Sequence, residues 1–149
     1  ADGDDQLHLA MEKMNSMYRM PSVHSTTSAT GVVLANGWIG DTIPRGSEAV
    51  STAKTYLSED GGRTWSKKLD EPHDFRILDH GGVLIFVPWN TKGNTLKFSL
   101  DEGVSINEFK FQGVKRAALT LWDNLLIRTL VFWGGKGVTS IVNRSLRCT

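Results

Sequence analysis

Side chains that could bind a metal or transfer protons are few in this sequence, and one small group stands out. His73 and Asp74 precede a short apolar segment, and Asp79 and His80 follow it. Imidazole and carboxylate groups that meet across a hairpin could bind a transition metal. Alternatively, Asp79 and His80 form hydrogen bonds within a turn while His73 packs beside it. We favour this structural alternative and predict no metal site.

Asp60 and Asp101 invite a calcium interpretation, which their surroundings do not support. A calcium ion takes about six or more oxygen ligands. Each of these aspartates lies in a predicted turn, and one carboxylate per turn does not supply such a set. We therefore expect both carboxylates to shape the backbone.

Catalytic motifs are missing from the sequence. A sialidase-like hydrolase needs an arginine cluster, a catalytic acid and a tyrosine or carboxylate nucleophile. Neither Tyr18 nor Tyr56 has a surrounding motif, and Arg63 lies inside a predicted turn. The glycine-rich segment 134–137 lacks the rest of a phosphate-binding loop, and no Ser-His-Asp signature is present. We predict no enzymatic activity and no cofactor.

Composition narrows the class of protein further. The chain has 149 residues, 22% of them charged, with a net charge of +1, which gives no reason to expect a nucleic-acid partner. No long apolar run is present, so we expect membrane attachment only through a segment outside this sequence. Cys148 is the single cysteine, either a free thiol or a link to another chain. Asn143 begins an N-glycosylation sequon, consistent with a secretory route.

The most informative segment covers residues 58–65, whose sequence fits the Asp-box pattern Ser-x-Asp-x-Gly-x-Thr-Trp. An aspartate here can accept backbone N–H groups, and glycines can adopt positive φ at little cost. The tryptophan then offers a large apolar face to bury between sheets. The pattern predicts a tight turn between antiparallel strands, with a generic Asp-Gly-Gly hairpin as the alternative. Its fixed positions are Ser58, Asp60, Gly62, Thr64 and Trp65.

A degenerate second copy of the pattern lies 41 residues later. Ser99, Asp101 and Gly103 occupy the same offsets, and Ile106 stands at the tryptophan position. A four-stranded propeller blade takes roughly 40–50 residues, so the spacing fits one blade. Isoleucine can fill the same apolar slot without the indole N–H.

The surrounding pattern predicts an all-β fold, a partial β-propeller of two to three blades with Asp-box hairpins. We place these blades in residues 1–111 and a divergent apolar segment, part of the next blade, in residues 112–149. Asn36-Gly37 predicts a turn, and residues 21–28 and 39–53 read as linker and loop. Residues 6–18 and 115–124 fit helix or strand. Strands are predicted at 31–35, 54–57, 64–69, 75–78, 83–87, 95–98, 106–111, 125–133 and 138–142.

Five segments, in family order, resemble the ten-bladed propeller domain of sortilin-family sorting receptors. They are Leu7-His8-Leu9, residues 31–41, residues 56–65, residues 71–83 and residues 96–103. Gln6 departs from the family pattern, which has a cysteine before Leu7, and Ile106 departs from the second tryptophan. Residues 112–149 match the pattern poorly.

The resemblance implies a non-catalytic fragment of a sorting-receptor ectodomain. Such a receptor binds protein or peptide ligands and carries them between Golgi, endosome, lysosome and cell surface, with this part on the lumenal or extracellular side. The resemblance also implies missing blades or neighbouring domains as partners, and it assigns no ligand-contact residue here. The alternatives are a sialidase-like glycoside hydrolase and a secreted carbohydrate-binding module.

Overall fold

Antiparallel strands dominate the structure, a computed structural model that describes residues 6–10, 22–89, 95–110, 119–120, 130–133 and 138–142. The prediction of an all-β, partial propeller-like fold is therefore confirmed. The strands are β1 (Leu7–Leu9), β2 (Val23–Ser25), β3 (Val33–Ile39), β4 (Lys54–Ser58), β5 (Ser66–Leu69), β6 (His73–Leu78), β7 (Val83–Pro88), β8 (Thr95–Ser99), β9 (Asn107–Lys110), β10 (Leu119–Thr120), β11 (Leu130–Trp133) and β12 (Val138–Val142).

The first sheet contains β1 to β5, and one of its edges is built from two short strands. Both β1 and β2 pair antiparallel with β3 and lie end to end along the same edge of it. Asn36 bridges the break with its backbone, because its N–H donates to Ser22 O and its carbonyl accepts from Ala10 N, each at 2.8 Å. The sheet continues from β3 to β4 and β5.

The second sheet has the order β6-β7-β8-β9, and it repeats the first. Tyr56 and Lys97, which are 41 residues apart, hold equivalent places: Tyr56 pairs with Ala35 in the first sheet, and Lys97 pairs with Phe86 in the second. The 41-residue spacing between the two turns therefore equals the step from one sheet to the next. Within the described residues, a third sheet has the order β10-β11-β12.

The main apolar core lies between the facing sides of the first two sheets. Alternate residues along each strand point to one face, so a strand contributes every second side chain to it. Burial of each leucine or phenylalanine contributes roughly 2 kcal/mol relative to an exposed side chain. Val32 and Ile106 pack against the cluster from its margin, so the isoleucine at the tryptophan position does fill an apolar slot. The buried members are Ala29, Leu34, Leu57, Leu69, Phe75, Ile77, Leu84 and Phe86.

Three predictions about local structure were wrong. Asn36-Gly37 lies inside β3 and forms no turn. The predicted linker 21–28 contains β2, which forms because β3 offers an open edge. The predicted loop 39–53 contains a helix, α1 (Gly46–Thr52), which buries none of its own residues and therefore shows no apolar periodicity.

Within the described residues, no helix is long and apolar enough to cross a membrane.

Two ambiguous segments are partly decided. Residues 7–9 form a strand, and residues 11–18 lie outside the described part of the chain. Of residues 115–124, only β10 is described, and it is a strand. The boundary between residues 111 and 112 also falls outside the described residues and stays a prediction.

Candidate functional site

The first candidate residues form a turn closed by a single carboxylate. Ser58 Oγ donates to Asp60 Oδ1 at 2.9 Å and accepts from Gly62 N at 2.8 Å. Asp60 Oδ1 also accepts from Thr64 N at 2.8 Å and Arg63 N at 3.0 Å, while Oδ2 accepts from Thr64 Oγ1 at 2.6 Å. Gly61 and Gly62 have positive φ, as the tight backbone path requires. The side chains of Ser58, Asp60 and Thr64 therefore bond within the turn, while the Gly61 N–H donates to Gly31 O at 2.9 Å.

The second turn has the same geometry. Ser99 Oγ donates to Asp101 Oδ1 at 2.7 Å and accepts from Gly103 N at 2.8 Å. Ser105 supplies its N–H to Asp101 Oδ1 at 2.9 Å and its hydroxyl to Oδ2 at 2.6 Å. Ser105 is a site residue that the sequence prediction missed, although a serine at the position of Thr64 keeps the hydroxyl donor.

These hydrogen bonds decide what the two carboxylates can do. The side-chain and backbone donors of Thr64 lower the pKa of Asp60 to about 2. Those of Ser105 lower the pKa of Asp101 to about 2. A general acid or base works best when its pKa lies near the working pH, so neither aspartate is suited to proton transfer at neutral pH.

Trp65 occupies a different place from the one expected. Its indole is half-buried, and Nε1 donates to Gly62 O at 3.0 Å, within its own turn. The ring also covers Gly62, whose added Cβ would lie 3.5 Å from Trp65 Cζ2. Trp65 is not among the core residues shared by the two sheets, so its visible role is to cover the turn.

The histidine and aspartate group suspected of binding a metal is spread along β6. His73 begins this strand and is fully buried, whereas Asp79 and His80 follow its end and are exposed. Asp74 accepts from Trp89 Nε1 at 2.7 Å, and burial raises the pKa of its carboxyl. Across the described residues, no group of three or more His, Cys, Asp or Glu side chains is placed to hold a metal ion.

A buried polar junction links the first sheet to the second, and we define it as Asn36, Thr55, Glu71 and His73. Asn36 Nδ2 donates to His73 O at 2.8 Å, and His73 N donates to Asn36 Oδ1 at 3.2 Å. Thr55 Oγ1 lies 2.9 Å from both Asn36 Oδ1 and Glu71 O, and its single proton can serve one of them at a time. The junction fixes the start of β6 against β3 and β4.

The tautomer of His73 follows from its neighbours. Its Nδ1 lies 2.8 Å from the carbonyl oxygen of Glu71, which can only accept, so Nδ1 carries the proton. Nε2 is then an acceptor that lies 3.7 Å from Glu71 Oε1 and is buried without a hydrogen-bond partner among the residues that the structure describes. Lys97 Nζ donates to the same Oε1 at 2.7 Å. Burial keeps the imidazole neutral, although the carboxylate of Glu71 favours the charged form.

We expect acid to weaken the fold through His73. Burial, aided by the charge of Lys97, lowers the pKa of His73 to about 4, from about 6.5 in an unfolded chain. The unfolded state therefore binds more protons between these two values, so stability falls as pH falls from about 6.5 to 4, by up to roughly 3 kcal/mol. Urea unfolding at several pH values measures this loss.

Two variants separate this effect from general acid denaturation. His73→Gln should flatten the dependence of stability on pH between 4 and 6.5, whatever its own stability at pH 7. His80→Gln, a change at an exposed histidine, should leave it intact. Asp60 and Asp101 affect the stability of the fold only at lower pH, because their stabilising effect is lost as pH falls toward about 2. An unchanged slope in His73→Gln contradicts the prediction.

The first two antiparallel sheets pack on each other and carry the same carboxylate turn, which defines the class as a propeller-type repeat. Comparison with known families gives the particular family. The sequence model of the Sortilin-Vps10 family, described as "Sortilin, neurotensin receptor 3", matches residues 1–121. The chain belongs to the Sortilin-Vps10 family of sorting receptors.

Individual relatives agree with this assignment. The chain is 38% identical to sortilin of Rattus norvegicus over 88 residues, which is 58% of this chain and 10% of the relative. It is 35% identical to "Vacuolar protein sorting/targeting protein 10" of Paracoccidioides lutzii over 115 residues, 76% of this chain and 7% of that protein. It is 32% identical to an uncharacterized membrane glycoprotein of Saccharomyces cerevisiae over 120 residues, 78% of this chain and 10% of the relative. The chain thus spans about one tenth or less of these proteins.

Proposed function

We propose that this chain is a non-catalytic part of a sorting-receptor ectodomain that binds protein or peptide ligands. One observation carries the proposal: both turn carboxylates use their oxygens on hydrogen bonds within their own turns. This arrangement serves a repeated scaffold better than proton transfer. The printed names of the relatives, sortilin and vacuolar protein sorting/targeting protein, support the same reading.

The same relatives support a proposal for the cellular location. We assign the fragment to the lumenal or extracellular side of the Golgi, endosome or plasma membrane, in a protein whose full-length form is membrane-anchored. A relative named as a membrane glycoprotein supports this placement. Glycosylation at Asn143 and pairing of Cys148 are predictions that lie outside the described residues.

Neighbouring blades are the structural partners that we propose. The outer strands β5 and β9 each pair on one side with a described strand, and β9 is exposed along its whole length. Unpaired strand edges and uncovered blade faces are usually protected in native proteins. We therefore expect residues 1–111 to pack against further blades of a longer receptor, with residues 112–149 beginning the next one.

A binding experiment distinguishes the receptor from its alternatives. The longer protein that contains this chain would be presented with a displayed random-peptide library, a glycan array and fluorogenic sialosides. We expect saturable peptide binding, no glycan capture and no hydrolysis. Hydrolysis would favour a sialidase-like enzyme, and glycan capture without hydrolysis would favour a carbohydrate-binding module. Either result, in the absence of peptide binding, rejects the receptor proposal.

A further inference from the structure

The first turn contains a dipeptide that can rearrange covalently, because Asp60 is followed by Gly61. In an Asp-Gly dipeptide the backbone nitrogen of the glycine can attack the side-chain carboxyl carbon of the aspartate, since no glycine side chain blocks the approach. One water molecule leaves, and a five-membered succinimide forms. A second water molecule then reopens the ring, and opening at the original backbone carbonyl gives isoaspartate. The rearrangement therefore needs only solvent water.

The fold engages the two reacting groups with different partners. The Gly61 N–H donates to Gly31 O at 2.9 Å, so the attacking nitrogen is directed toward another segment of the chain. The carboxylate of Asp60 is directed toward Thr64, whose N–H donates to Oδ1 at 2.8 Å and whose hydroxyl donates to Oδ2 at 2.6 Å. Attack requires both sets of hydrogen bonds to break.

The charge of Asp60 opposes the reaction as well. A carboxyl group loses an oxygen as water only from its protonated form. The hydroxyl and N–H of Thr64 lower the pKa of Asp60 from 3.8 to about 2. At any pH above both values, the protonated fraction is therefore smaller by a factor of roughly 60.

The acceptor for Gly61 is held by contacts that lie within the described residues. Gly31 has φ +87°, and an added Cβ would lie 3.0 Å from Glu59 O, so residues 26–32 run tightly against the turn. In the same segment, Ala29 is buried in the core between the two sheets, and Val32 packs against that core. The acceptor is thus fixed by the first two sheets, whatever packs on their outer faces.

We propose that Asp60-Gly61 is a site of isoaspartate formation that residues 26–32 and Thr64 keep closed in the folded chain. Opening of the turn frees the nitrogen and the carboxyl together, and the rearrangement then proceeds. The product carries the Cβ of residue 60 in its main chain, which becomes one atom longer, and the carboxylate moves to a different carbon. The original hydrogen bonds to Thr64 cannot re-form, so the modification is a lasting record of opening.

Peptide mapping tests the proposal in the longer protein that contains this chain. The protein would be incubated near neutral pH, either folded or in guanidinium chloride. Trypsin then releases residues 55–63 as one peptide, because Lys54 and Arg63 mark its ends, and chromatography separates its aspartyl and isoaspartyl forms. We expect isoaspartate to form at least about tenfold more slowly in the folded protein. Equal rates in the two conditions overturn the proposal.

Three variants test whether the turn itself gives the protection. Thr64→Val removes the hydroxyl donor to Asp60 and should raise the rate in the folded protein at least about threefold. Thr64→Ser keeps a hydroxyl, as Ser105 does in the second turn, and should react at the parental rate. Ser105→Val weakens the second turn instead and should also leave the rate unchanged. A parental rate in Thr64→Val, or an equal increase in Ser105→Val, contradicts the proposal.

Discussion

A methyl group added at Gly103 is expected to lower the free energy of unfolding by about 4 kcal/mol. Gly103 has φ +87°, a conformation that costs an alanine about 1 kcal/mol or more. Its added Cβ would also lie 2.7 Å from Leu57 Cδ2 and 3.3 Å from Leu84 Cδ1. Both leucines are buried in the core between the two sheets, so neither can move aside cheaply. Urea unfolding of Gly103→Ala measures the loss.

Gly61→Ala is the matched control for this experiment. Gly61 lies in the first turn with φ +75°, and an added Cβ would meet nothing within 4 Å. Gly61→Ala should therefore lower the free energy of unfolding by about 1 kcal/mol, which is the cost of the backbone conformation alone. If the two variants lose equal stability, the second turn does not pack into the core as described.

Asn36→Ala should lower the free energy of unfolding by about 4 kcal/mol, because it removes two hydrogen bonds to the His73 backbone and one of the two acceptors that Thr55 shares. The N–H and carbonyl of His73 would lose their amide partner, and the hydroxyl of Thr55 would lose one acceptor. Each unsatisfied buried polar group costs roughly 1–3 kcal/mol. Chemical denaturation gives the total, and hydrogen exchange at the His73 amide reports the site itself.

Asn107→Ala provides the comparison. Asn107 is exposed on β9, so the same change there should cost less than about 0.5 kcal/mol. The His73 amide should exchange faster in Asn36→Ala and at the parental rate in Asn107→Ala. A loss of cooperative unfolding in Asn36→Ala at neutral pH agrees with the prediction. Parental stability together with a parental exchange rate at His73 contradicts it.

The turns were predictable from sequence because their interactions are local. Ser58 and Thr64 reach Asp60 across no more than four positions, so the pattern itself contains the partners of these three side chains. The continuous apolar run of β7 and the alternating apolar residues of β8 likewise predicted both strands. Ser105 was missed because serine differs from the threonine of the pattern, although the hydroxyls of Thr64 and Ser105 make the same bond to aspartate.

The buried junction could not be predicted, since its bonds connect distant parts of the chain. Asn36 and His73 are 37 positions apart, and nothing near Asn36 reveals the partner. Read locally, Asn36-Gly37 is a turn signal. In the fold, a glycine is required at position 37 because the backbone carbonyl of His8 occupies the space of a side chain. Tertiary contacts therefore overrule the local preference.

The break between β1 and β2 makes this sheet a convenient place for protein engineering. Ala10 and Ser22 both bond to the backbone of Asn36, so the chain leaves and re-enters the sheet at one point. A designed flexible linker between Ala10 and Ser22 could vary in length, because closing it costs only about 0.6 kcal/mol more for each doubling of its length. A foreign peptide grafted between these two anchors would leave the register of β3 unchanged, which offers a site for displaying tags or binding loops on the scaffold.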